Sequence, residues 1–132
     1  MKKIFIYDND ILNAQLLVCV GVSAKEIKKW ADKNSKNLKE IYKRKENVES
    51  TENAIKDNDG FVQYFTKDDK KFYLLWLKDF GNQWPYCEIL LHEIVHFKQY
   101  QFANRNINNE LEFESYFIES VFRELRRKIL WK

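Results

Sequence analysis

Two imidazoles one helical turn apart, with a carboxylate between them, make Leu91-His92-Glu93-Ile94-Val95-His96 a stretch whose residue types and spacing can hold a metal ion. Residues four apart on an α-helix share a face with their Cβ atoms about 5–6 Å apart, so both rings can reach one ion about 2 Å from each nitrogen. Glu93 lies about 100° further round the helix, too far to be a ligand but beside the place of an activated water, which is where a general base belongs. The chain has only 2 histidines and both fall here, among the apolar residues Ile89, Leu90, Leu91, Ile94, Val95 and Phe97. A histidine pair on a helix is often only solvated or core structure. A segment this apolar, however, must be largely buried, where an unpaired polar ring is costly, and that favours metal binding.

A chain of 132 residues predicts one domain spanning positions 1–132 that buries roughly two-thirds of its unfolded surface, with little room for a second domain or a lid. Aromatic residues reach 16% while Gly (3) and Pro (1) are scarce, which excludes a linker or low-complexity chain. The net charge is +3 with both signs interspersed, so no nucleic-acid footprint is expected and the charge reads as solubility. No run is long and apolar enough for a membrane span or a signal-peptide core, which predicts a cytoplasmic protein in its host cell. Cys19 and Cys87 read as free buried thiols; Cys87, five residues before His92, is off the ligand face.

The elements that must position the motif are legible as a sequence of periods. Ile4–Tyr7 and the more hydrophobic Ala14–Val22 read as strands, the second central in its sheet, with Asp8-Asn9-Asp10 as the turn between them. Ser23-Ala24-Lys25-Glu26 is a capping box that starts a helix carrying Ile27, Trp30, Ala31, Leu38, Ile41 and Tyr42 on its apolar side. Between Lys43 and Asp59 the pattern dissolves into charge, which predicts a helix end and a surface connection. Gly60–Phe65 and Phe72–Leu77 read as two strands joined through Thr66–Lys71. Gly81-Asn82 turn the chain, and Pro85 suits the first turn of a metal helix from about Trp84 to Phe102. An Asn-rich turn over 104–109 leads to a last helix, about Glu110–Leu130, with Arg126, Arg127 and Lys128 complementing the dipole at its C-terminus. The order predicts an α+β domain with a mostly antiparallel sheet.

A catalytic zinc needs a third protein ligand, and the last helix offers Glu110, Glu112, Glu114 and Glu119. Glu112 has Ser115 and Tyr116 one turn on, so a small side chain on its face would let two helices approach closely. Glu114 falls within the apolar arc, where a buried carboxylate wants a cation. Asn109-x-x-Glu112 also fits a plain capping box.

His92-Glu93-x-x-His96 followed by Glu112-x-x-Ser115 resembles the gluzincin branch of the zincin-like metallopeptidases, and is most similar to small members encoded by phages and mobile elements. The strand ending in Tyr7-Asp8-Asn9-Asp10, the strand Tyr73–Leu77 and Ser115-Tyr116-Phe117 share in it. It covers the whole chain weakly and residues 73–122 strongly. The departures are a short stretch, 97–111, between the histidines and the acid, and Leu111 where Asn or Asp often stands. The resemblance implies a zincin-like fold and one Zn2+ per chain held by His92, His96 and Glu112, with Glu114 and Glu119 as the competing ligands. It implies zinc-dependent hydrolysis of a peptide or protein substrate with Glu93 as general base. Tyr116 and Tyr100 become candidates for oxyanion stabilisation, although both residue types are more often core aromatics. The strand Tyr73, Leu74, Leu75 and Trp76 becomes the one that binds substrate backbone. The alternative from another class is a zinc-bearing interaction module that does not turn over.

Overall fold

The computed structural model describes residues 1–9, 11–12, 14–80, 84–105, 107 and 111–130. Among these are four strands, β1 (Lys3–Asn9), β2 (Ala14–Val20), β3 (Gly60–Lys67) and β4 (Lys70–Leu77), and five helices, α1 (Ala24–Asn34), α2 (Lys36–Lys43), α3 (Lys45–Asp57), α4 (Trp84–Asn104) and α5 (Leu111–Leu130). Asp10, Gly81-Asn82, Asn108-Asn109 and the candidate ligand Glu110 lie outside the described residues.

The sheet runs β1-β2-β4-β3. The two outer ladders are antiparallel, as expected, but the central β2–β4 pair is parallel, Leu16 opposite Tyr73 through Val20 opposite Leu77. The chain is therefore α+β with a mixed sheet. A parallel pair needs a long crossover, and α1, α2 and α3 supply it. β2 is the centre of the molecule: Leu16 to Val20 are all 0–2% exposed, because both faces of the strand are covered. On one face Leu16, Val18, Val20, Leu75 and Leu77 meet Leu90, Ile94 and Phe97 of α4 and Phe117, Val121 and Leu125 of α5. On the other, Leu17, Cys19, Leu74 and Trp76 meet Ile27 and Ala31 of α1 and Leu38, Ile41 and Tyr42 of α2. Cys19 and Cys87 are free and buried, one in each layer, and burial pushes the Cys19 thiol well above its usual range.

The capping box forms: Ser23 Oγ accepts from the Glu26 amide at 3.2 Å and Glu26 Oε1 from the Ser23 amide at 3.3 Å. The single helix expected after it is two, because Ser35 closes α1 and its hydroxyl caps α2 by accepting from the Leu38 amide. The surface connection expected over 43–59 is instead helix α3. Val48, Ala54 and Ile55 pack partly buried against the core, and polar bonds add to that hold. Fully buried Thr51 shares a hydrogen bond with the Tyr42 hydroxyl at 3.2 Å and donates to Gln63 Oε1 at 2.9 Å, while Gln63 donates to Ser50 Oγ at 2.7 Å. The β3–β4 loop is shorter than expected, since Asp68 and Asp69 both take left-handed φ (52° and 63°), the geometry of a two-residue hairpin turn. No helix among the described residues is long and apolar enough to cross a membrane.

Candidate metal centre

α4 carries the motif because its core face is continuous: Cys87, Leu90, Ile94 and Phe97 are buried against the sheet and α5. The histidines themselves are not buried, contrary to what the apolar run predicts: exposed His92 and half-buried His96 lie side by side on the outer face, because the core takes only the opposite side of the helix. A buried-ring cost therefore does not favour the metal, and the case for it rests on the mutual geometry of the two rings. Their Nε2 atoms converge to 3.0 Å, with ring centroids 4.7 Å apart and planes at 83°. Two nitrogens bound tetrahedrally at about 2.0–2.1 Å lie roughly 3.3 Å apart, so the pair fits two ligands of one ion with a small relaxation. His96 Nδ1 lies 3.1 Å from Gln99 Oε1. With the amide oxygen accepting, Nδ1 carries the proton and Nε2 keeps its lone pair toward His92, the tautomer a metal requires.

Glu93 lies beside the pair, further round the helix, within electrostatic reach of both His92 and His96. It is only 5% exposed and packs under β3, where a Cβ on Gly60 would lie 3.4 Å from its Cγ. Burial raises its pKa above the ordinary carboxylate value, against the lowering pull of His92 and His96. A carboxylate moved upward in this way is better matched to accepting and returning a proton near neutrality. Gly60 makes the approach possible: the same Cβ would stand 2.7 Å from Ile89 Cγ2. Gly60→Ala should therefore lower stability by about 1–3 kcal/mol in a urea titration through forced movement of Ile89 and α4. An unchanged midpoint would show that α4 can shift freely.

Among the described residues no candidate acid is brought to the histidines: there is no group of three or more His, Cys, Asp or Glu placed to share an ion. Glu112 is exposed. Glu114 is bound to Lys98 at 2.6 Å, so the cation its position called for comes from α4. Glu119 pairs with Arg123 on its own helix at 3.6 Å. The close helix approach expected at Ser115 is not made there, for Ser115 is exposed. Phe113 and Phe117 instead pack against Phe102, at 5.7 and 5.9 Å, and join α5 to α4 through aromatic rings. Tyr116 is 59% exposed. Tyr100 is half-buried in a cluster with Tyr64 and Tyr73, at 5.3 and 6.1 Å, the role of a packed aromatic.

The substrate-strand assignment needs correction. Tyr73, Leu74, Leu75 and Trp76 belong to β4, which is hydrogen-bonded to β2 on one side and β3 on the other, so its backbone has no edge to offer. The outer strand beside it is β3, against which α4 packs through Gly60 and Glu93 and through Tyr64 and Tyr100. Reading β4 from its own residues could not reveal this, because edge position depends on strand order. Gly60, Lys98 and Gln99 were missed: nothing local singles out the first two, whereas the position of Gln99 one turn after His96 was a usable signal. Compared with known protein families, characterised proteins and solved structures, the chain matches none.

Proposed function

We propose that this chain is a minimal zinc-dependent peptidase of the zincin-like type. The observation that carries the reading is the convergence of the His92 and His96 Nε2 atoms at 3.0 Å on the outer face of α4, one residue away from a buried carboxylate. His92 and His96 would hold the ion, and a bound divalent metal supplies Lewis acidity at that place. Glu93 takes the proton of the attacking water and passes it to the departing amine, which its raised pKa favours. Gln99 fixes the His96 ring. An extended peptide would add to the outer edge of β3, whose other edge is paired with β4. Of the acids on α5, Glu114 and Glu119 are engaged by Lys98 and Arg123, so Glu112 remains the proposed third ligand.

A second reading, a metal-bearing interaction module without turnover, is favoured by one observation: Leu91, next to His92, leaves a large apolar side chain 42% exposed. Zinc titration of the purified protein, paired with digestion of a peptide library, separates the two. One zinc per chain is expected, with affinity lowered at least about a hundredfold in His92→Ala and in His96→Ala. Glu112→Ala is expected to weaken zinc binding more than Glu114→Ala or Glu119→Ala. Wild-type protein that stays metal-free after zinc loading refutes both readings, whereas zinc binding without any cleavage, insensitive to all three Glu variants, selects the module.

A further inference from the structure

A concave feature lies at the end of the sheet where the β2–β4 ladder begins. β2 and β4 pair from Leu16 and Tyr73 onward, and β4 reaches back to Lys70 in its pairing with β3. A cleft of about 300 Å³ opens there, at the small end of the range for small-molecule sites. Leu17, Leu38 and Phe72 give it an apolar floor, and Lys70, Lys71 and Arg105 give it a cationic rim. No carboxylate is among the described residues that line it.

Two of the three cations are held in place by neighbouring amides. Arg105 Nε donates at 3.2 Å to Oε1 of Gln101, itself only 4% exposed, and Lys71 Nζ donates at 2.8 Å to Asn104 Oδ1. Side chains anchored in this way lose less freedom when a ligand arrives. Three cationic side chains line the one opening, and an anion seated there meets positive charge without a carboxylate among the described lining residues. An inorganic ion would use the rim and leave the apolar floor in water. A larger anion uses both.

We propose that this cleft binds a small organic anion, a phosphate monoester or a carboxylate, with its charged group at Lys70, Lys71 and Arg105 and its apolar body on Leu17, Leu38 and Phe72. The site shares no residue with the metal centre and stands whether or not the chain is a peptidase.

Isothermal titration of the full chain with naphthyl phosphate, naphthoate, naphthol and inorganic phosphate tests it. Saturable binding is expected for at least one of the two naphthyl anions, and whichever binds more tightly names the charged group. Arg105→Ala combined with Lys70→Ala, both exposed positions, should weaken that binding about tenfold or more, since charge-assisted contacts are lost. A melting curve confirms that the double variant is folded. The proposal is overturned if neither naphthyl anion saturates in the millimolar range, if naphthol binds as well as they do, if inorganic phosphate binds as tightly as naphthyl phosphate, or if the folded double variant binds them unchanged.

Discussion

In Glu93→Gln, peptide hydrolysis is expected to fall by about two to four orders of magnitude while zinc content stays that of the parent. The amide keeps the shape of the carboxyl group under β3 but cannot accept the water's proton. A variant that loses zinc would instead make Glu93 part of the ligand set. One that cleaves at the parental rate would remove the assigned base. The same substitution carries a stability signature that is independent of activity. Because burial raises the Glu93 pKa in the fold, the folded chain holds this proton more tightly than the unfolded chain does. The carboxyl's contribution is therefore intact below the ordinary carboxylate pKa and is lost as pH rises through the raised, folded value. Metal-free Glu93→Gln lacks this loss, so its melting temperature should exceed the parent's at pH 7 and approach it near pH 4. Parallel melting curves for the two proteins across that interval would show that Glu93 is solvated in the fold.

The second large effect is expected at the α4–α5 contact. Glu114→Ala leaves the Lys98 ammonium, with its side chain 6% exposed, buried without its carboxylate. Breaking a fully buried pair costs about 3–5 kcal/mol. Glu114 is itself 25% exposed, so water can reach the site and about 2–3 kcal/mol is the expected loss in a denaturant titration. Replacing both residues by Met should restore most of it, because the ammonium is then gone and its stem volume is kept, even though the ammonium's contact over the Phe102 ring at 5.2 Å is lost. Glu112→Ala should cost no more than about 1 kcal/mol, as expected for an exposed first-turn carboxylate on α5. Equal losses at the two positions would mean that Lys98 finds another partner when Glu114 is removed.

What the sequence determined by itself is whatever a few neighbouring residues decide together. Helical periodicity placed His92 and His96 on one face and Glu93 beside them, and the apolar residues around them committed that helix to the core. Ser23 and Glu26 lie three residues apart and cap each other, and the unbroken run Leu16 to Val20 marked the central strand. The apolar arc of α5 placed Glu114 where a cation was required. Only the tertiary structure decided what depends on distant segments. α3 was hidden because its sequence offers only Val48, Ala54 and Ile55 to the core besides buried Thr51, and the hydrogen bonds that hold it run to Tyr42 on α2 and Gln63 on β3. The place of β4 inside the sheet follows from its pairing with β2, more than fifty residues earlier, which no local pattern records. Which cation would meet Glu114 was equally invisible until α5 folded back and brought the carboxylate to Lys98. Backbone and side-chain preferences act over one or two turns, whereas strand order, edges and buried ion pairs are settled only when chain entropy has been spent on closing long loops.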